Sequence, residues 1–182
     1  MPTEEYVMNG KRLSFETRPG VFAQYGLDKG SKLLLEYVDF PSRSKVLDLG
    51  CGCGFLGIAA ASVSPEQSVF LVDSDIRAVN LAKENAKRNE LNNVTVLLSD
   101  VTSGLPADVK FDVVISNPPT HQGREVVVQF IQEAHKVLKT GGVAYFVVNR
   151  MASVLDRMKE VFGNSEKIGR REGYIVFKAV KN

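Results

Sequence analysis

The chain has 182 residues, 44% hydrophobic and 24% charged, with 15 Gly and 7 Pro; this is enough for one sizeable core, too little for two, and unlike a fibre or disordered tail. A formal net charge of +2 excludes a strongly basic nucleic-acid coat, so any polyanionic partner must be held by a local patch. The opening Met1-Pro2-Thr3-Glu4-Glu5 lacks the positive start and apolar run of a secretory leader, and no apolar stretch is long enough to span a bilayer, so a cytoplasmic enzyme with no membrane attachment is expected.

In chain order, Gly30 to Asp39 is expected to form a helix carrying Leu33, Leu34, Leu35 and Val38. From residue 44 onward, short β-branched runs alternate with helical patterns, the signature of βα units feeding a parallel sheet. The expected strands are Lys45 to Leu49, Ser68 to Val72, Val94 to Leu98, Phe111 to Ser116 and Val143 to Val148. Their nearly continuous apolar character suits strands covered by helices on both faces.

The intervening helices are expected over Leu56 to Val63, Asp75 to Leu91, Val126 to Leu138 and Ala152 to Phe162. In the second of these, Ile76, Val79, Ala82 and Ala86 make the apolar stripe, Asp75 is the N-cap, and Asn92-Asn93 suits the C-terminal turn. The glycines of Thr140-Gly141-Gly142 are expected to stop the third helix. Two short strands, Glu166 to Ile168 and Tyr174 to Val180, flank Arg170-Arg171-Glu172-Gly173 as a hairpin. The expected fold is therefore α/β, with a doubly wound, mostly parallel seven-stranded sheet closed by a terminal antiparallel hairpin. It forms a single domain over 1–182, residues 1–43 being a substrate-side segment and 44–182 a cofactor-binding core.

The run Asp48-Leu49-Gly50-Cys51-Gly52-Cys53-Gly54 leaves a strand and enters a helix. Its glycines let backbone come close to a nucleotide-type ligand where a Cβ would collide. No Lys-Ser/Thr pair follows, which disfavours a triphosphate. About twenty residues on, Asp73 ends the next strand with Ser74 beside it, where a carboxylate can bind both hydroxyls of a ribose. Asp100 ends the third strand and can accept from an adenine amino group, with Ile76 and Val101 flanking the ring. The loop and Asp73 alone do not separate a methyl donor from NAD. Cys51 and Cys53 are too close in sequence for a disulfide framework or an ordinary zinc site, so no structural metal is expected, and they are read as small packing residues of the loop rather than nucleophiles.

The fourth strand runs into Asn117-Pro118-Pro119-Thr120-His121. Two prolines fix φ and remove two N–H donors, leaving a stiff turn whose carbonyls, with the Asn117 amide oxygen, make a cluster of acceptors suited to a planar NH2 group. Asn-Pro-Pro downstream of the acidic glycine-rich loop resembles the amino-methyltransferases of bases and of protein glutamine. With His121, and with Pro19-Gly20-Val21-Phe22 and Gly26-Leu27-Asp28-Lys29-Gly30-Ser31-Lys32-Leu33-Leu34 upstream, the chain is similar over about residues 17 to 150 to the ribosomal RNA guanine-N2 methyltransferases of the methyltransferase-small-domain family. The resemblance implies a class I methyltransferase fold and S-adenosylmethionine as cofactor, held by Asp48, Gly50, Gly52, Gly54, Asp73, Ser74, Asp100, Val101 and Asn117. It implies catalysis by Asn117, Pro118, Pro119 and His121, and RNA as the substrate. Thr120 stands where most relatives of this type carry an aromatic ring, which leaves base stacking to His121 or Phe22.

Alternatives are a glutamine or adenine-N6 methyltransferase and a non-catalytic RNA-binding assembly factor. Arg150, Arg170 and Arg171 are read as a solvated face that could touch phosphate. The oligomeric state is open, monomer or weak dimer.

Overall fold

Strands alternate their side chains between two faces, and here both faces meet helices, so apolar residues fill consecutive positions. In the computed structural model, which describes residues 3–21, 27–149 and 153–182, the elements are β1 (Thr3–Met8), β2 (Lys11–Glu16), α1 (Lys29–Leu35), β3 (Lys45–Leu49), α2 (Phe55–Val63), β4 (Ser68–Asp73), α3 (Ile76–Arg88), β5 (Val94–Leu98), β6 (Phe111–Ser116), a 3-10 turn (Thr120–Gln122), α4 (Arg124–Val137), β7 (Leu138–Asn149), α5 (Ser153–Phe162), β8 (Glu166–Arg171) and β9 (Tyr174–Val180). Seven strands form one sheet in the order β5-β4-β3-β6-β7-β9-β8. Neighbours from β5 to β7 are parallel. Strand β9 runs antiparallel to both β7 and β8.

Side-chain parity divides the core in two. Val46, Val69, Leu71, Val113, Ile115 and Val147 join the layer built with α1, α2 and α3. Leu47, Leu49, Val72, Val114, Phe146 and Val148 join the layer built with α4 and α5. Burial of this kind contributes roughly 25 cal/mol per Å² of apolar surface. Sequence order reverses at β3, which lies between β4 and β6, and a crevice opens at the carboxyl ends of the strands flanking such a switch point.

Several expectations change in detail. Helix α3 stops at Arg88, where Asn89 caps it and Glu90 adopts φ 55°; Asn92-Asn93 lies beyond. Its buried face is Ala78, Val79, Leu81, Ala82, Asn85 and Ala86, whereas Ile76 is 52% exposed, so Ile76 leaves the expected stripe. Helix α4 passes into β7 at Leu138 without a glycine cap. Thr140-Gly141-Gly142 instead forms an irregularity inside β7: Phe111 pairs with Leu138 but Val113 with Val143, and Gly141 takes φ 80°. Helix α1 is shorter than expected. The β8–β9 turn is Glu172-Gly173, at φ 49° and 88°, so Arg170 and Arg171 belong to the strand.

The hairpin β1–β2 is an addition to the sequence reading. Asn9 and Gly10, at φ 48° and 79°, make the left-handed two-residue turn that suits a hairpin. Leu13 and Phe15 are fully buried, with Phe15 edge-on to Phe55 at 5.2 Å between centroids. The free edge of β2 is paired by two carboxamides, Asn85 of α3 and its C-cap Asn89. The Ser14 N–H donates to Asn89 Oδ1 and Asn89 Nδ2 returns a bond to Ser14 O, at 2.9 and 2.8 Å. The Glu16 N–H donates to Asn85 Oδ1 and Asn85 Nδ2 to Glu16 O, at 2.8 and 3.0 Å. One helical turn matches two strand residues in length, so side chains four apart serve backbone groups two apart.

Asn85 is fully buried and its Nδ2 also donates to Cys53 O at 2.9 Å. Asn85→Ala is expected to lower folding stability by about 2–4 kcal/mol, because three bonds are lost and buried backbone groups are left unpaired. Urea unfolding measures it; a loss below about 1 kcal/mol would contradict the bracing role.

Candidate active site

The crevice at the switch point is a cleft of about 930 Å³ lined by the loops that follow β3, β5 and β6, the ends of β4 and α3, the segment before β3, α4 and β9. That size suits a nucleoside-like ligand with a second group beside it.

Its floor is the glycine loop. Gly50 N–H and Cys51 N–H both donate to Val72 O at 2.9 Å, bending the chain away from β3. Gly50 and Gly52 adopt φ 77° and 55°. A Cβ on Gly50 would come within 2.9 Å of Phe130 Cε1, so only glycine brings backbone this close to the cleft wall. Gly52 N–H donates to Asp73 Oδ2 at 2.8 Å, and the Asp75 N–H to Asp73 Oδ1 at 2.9 Å. Asp75, as expected, caps α3 by accepting from the Arg77 N–H.

Gly50, Gly52, Asp73, Ser74, Asp100, Val101, Asn117, Pro119 and His121 all line the cleft, so most of the expected set is brought together. Asp48, Gly54 and Pro118 do not. Asp48 is fully buried because its parity turns it toward α2, where it accepts from the Gly57 N–H at 2.8 Å. Gly57 makes the space: a Cβ there would lie 3.0 Å from that of Asp48. Asp48 Oδ1 has no hydrogen-bond partner among the described residues. Burial, with the nearby Asp73 charge adding to it and the Gly57 amide opposing it, pushes the Asp48 carboxyl up to about 7. Asp48 thus lies beneath the loop, outside the cleft lining. Gly54 at φ 88° packs under Ile58 and Ala82, and Pro118 is buried. Ile76 is also outside the lining. Phe22 and Arg150 lie outside the described residues.

Val101, a β-branched residue, holds φ 51° at the cleft edge. The Ser99 hydroxyl donates to Val101 O and accepts from the Gly104 N–H, each at 2.9 Å, which pins this strained turn. Strain in a branched residue persists only where surroundings over-determine it, and it concentrates at ligand-binding turns.

On the opposite wall, Asn117 directly follows β6. The prolines after it are less open than expected: Pro118 O accepts from the Thr120 N–H at 2.8 Å and Pro119 O from the Gln122 N–H at 3.0 Å. Each of these carbonyls is thus engaged once by its own turn and keeps its second lone pair beside the Asn117 side chain. Its Nδ2 donates to Asp28 Oδ2 at 2.7 Å and to Ser31 Oγ at 3.0 Å, leaving Oδ1 as its unengaged group. His121 stands exposed at the mouth. Both cysteines are buried; burial pushes the Cys51 thiol well above its usual range and the Cys53 thiol up to about 11, so neither is a thiolate nucleophile. Arg171 is paired to Glu36 through two bonds of 2.6 and 2.8 Å on the exposed face.

Asp28, Tyr174 and Phe130 also line the cleft and were not singled out by sequence reasoning. Burial, then the Asp28 charge, holds the Tyr174 hydroxyl above its ordinary range, so it stays protonated and donates to Asp28 Oδ1 at 3.3 Å. Among the described residues no group of three or more His, Cys, Asp or Glu could hold a metal ion, and no helix is long and apolar enough to cross a membrane.

A switch-point glycine cradle facing an Asn-Pro-Pro turn on one seven-stranded sheet defines the Rossmann-like methyltransferase class. Within that class the chain belongs to the Methyltransferase small domain family, which matches residues 12–178. It is 30% identical to the uncharacterized protein YbxB of Bacillus subtilis, covering 98% of this chain and 91% of that one. It is 35% identical to ribosomal RNA small subunit methyltransferase C of Erwinia tasmaniensis, over 98% of this chain and 52% of the relative. Its fold superposes with a TM-score of 0.90 on a T. thermophilus 16S rRNA guanine-N2 methyltransferase solved with AdoMet and guanosine, at 29% identity, covering 100% of this chain and 50% of that one. The chain thus spans about half the length of the ribosomal RNA methyltransferases it matches.

Proposed function

We propose that this chain transfers a methyl group from S-adenosylmethionine to an exocyclic amino nitrogen, guanine N2 of ribosomal RNA. The observation that carries the reading is the placement of Asn117, with a free amide oxygen, across one cleft from Gly50, Gly52 and Asp73.

The residues fit the cofactor. A carboxylate at the end of β4 suits the paired hydroxyls of a ribose, and Gly50, where a Cβ would meet the Phe130 ring, lets bare backbone line the cleft. Asp73 and Ser74 would hold the ribose, Asp100 and Val101 the adenine, and Gly50 and Gly52 the amino-acid end. When bound, S-adenosylmethionine supplies an electrophilic methyl on a sulfonium. Asn117 Oδ1 would accept one N–H of the target amine and fix the direction of its nitrogen lone pair, and the stiff Pro118-Pro119 turn keeps that oxygen in place. With Thr120 in the position after the prolines, His121 is the ring at the mouth against which a base can lie. The segment before residue 44 contributes the substrate side of the cleft through Val21, Leu27 and Asp28. On this reading the protein is an RNA-modifying enzyme that works in the cytoplasm.

Incubation with methyl-labelled S-adenosylmethionine and ribosomal RNA or subunits, followed by digestion to nucleosides, is expected to place label in N2-methylguanosine. Label in protein alone, or in N6-methyladenosine, would reject the assignment.

A further inference from the structure

We infer that Asp28 is a positioning residue for methyl transfer, fixing which end of the Asn117 carboxamide faces the acceptor; this rests on the role proposed above for Asn117. A carboxamide has a donor end and an acceptor end of nearly equal size, so shape alone does not decide its orientation. Charge and hydrogen bonding do. A carboxylate can only accept, so the group of Asn117 that lies 2.7 Å from Asp28 Oδ2 is the NH2. Ser31 Oγ, at 3.0 Å, engages the same nitrogen but is chemically indifferent, since a hydroxyl both donates and accepts. Asp28 alone therefore breaks the symmetry. With it, Oδ1 faces the cleft and attracts an amine's hydrogens; without it, the amide can turn over and present its own N–H groups to that amine.

Asp28 is itself held in register. Its Oδ2 also accepts from the Ser31 N–H at 2.7 Å as the N-cap of α1, and its Oδ1 from the Tyr174 hydroxyl at 3.3 Å. The Tyr174 ring lies against Gly30 so closely that a Cβ there would come within 2.5 Å of Cδ1. Tyr174 sits opposite Asn149 in the β7–β9 register. The terminal hairpin thus fixes the carboxylate that orients the reacting-side amide. The arrangement selects acceptors that carry an N–H on the reacting nitrogen and disfavours aprotic ones.

The test separates orientation from helix capping. Serine and asparagine are both good N-caps, but only asparagine at position 28 keeps an acceptor oxygen within reach of Asn117. Asp28→Ser is expected to lower kcat by about 30-fold with little change in S-adenosylmethionine affinity or thermal midpoint, and Asp28→Asn to recover roughly tenfold or more of that loss. Equal turnover of the two variants would show that Asp28 only caps α1 and would overturn the inference. A second readout needs no RNA: in the full chain, the side-chain amide signal of Asn117 should exchange with solvent roughly tenfold faster in Asp28→Ser than in Asp28→Asn. Equal exchange would likewise overturn the clamp. The Asn117→Ala variant keeps the two proposals distinguishable. If it turns over normally, the reading of the active site is what fails; if it is inactive while both Asp28 variants behave alike, only the present inference does.

Discussion

Asn117→Ala is expected to bind S-adenosylmethionine within about threefold of the unaltered protein while its turnover falls by roughly two to four orders of magnitude. At about 1.4 kcal/mol per factor of ten, this corresponds to roughly 3–6 kcal/mol of barrier. One hydrogen bond does not normally carry that much. Here the bond also sets direction: the alanine leaves Asp28 and Ser31 facing an empty corner, and the amine loses the side-chain acceptor that those two residues orient. Binding of the cofactor should survive because its cradle is built from β3 and β4 and braced independently through Val72 O and Asp73. Single-turnover kinetics on ribosomal RNA with calorimetric titration of the cofactor gives both numbers. A variant that loses cofactor affinity and turnover in parallel would place Asn117 in binding instead of transfer.

Asp73→Ala is expected to do the reverse. Two hydroxyls bound to one carboxylate are charge-assisted bonds worth roughly 1.5–3 kcal/mol each, so their loss should weaken the cofactor by about a hundredfold or more. The substitution also releases the Gly52 and Asp75 amides that Asp73 accepts in the ligand-free protein. Asp73→Asn separates the two effects. Its remaining oxygen can keep the Gly52 bond, so it should recover part of the loop's order and little of the ribose affinity. Calorimetry checks the affinity, and unaltered binding in the alanine variant would remove Asp73 from the cofactor site. Because Asp73 is only partly buried, folding should change by far less than binding does.

The parallel strands, the loop and the Asn-Pro-Pro turn were legible because each is a local pattern: an apolar run, closely spaced glycines, two prolines after a strand. The first hairpin was equally legible from Asn9-Gly10 between alternating apolar residues and went unread. Asp48 lies outside the cleft lining for a physical reason. Standing just before the glycines it resembles a ligand group, but strand parity sends its side chain under α2. Asp28 lay inside the segment that carries the family resemblance but with nothing local to tie it to Asn117, and Tyr174 carried no signal. Asp28 reaches Asn117 across 89 positions and Tyr174 across 146, and only the strand order, which inserts β9 beside β7, brings the three together. The Gly141-Gly142 pair misled for a related reason: glycines that could end a helix can also open a bulge in a strand.

The carboxamide pairing of β2 has a practical corollary for protein engineering. Because Asn85 grips both Glu16 and the carbonyl of Cys53, the curvature of the nucleotide cradle is inherited in part from a ribbon near the start of the chain. A minimal cassette that transplants β3, the loop and α2 onto another scaffold would leave that carbonyl unguided. A working graft would have to carry α3 and the ribbon as well.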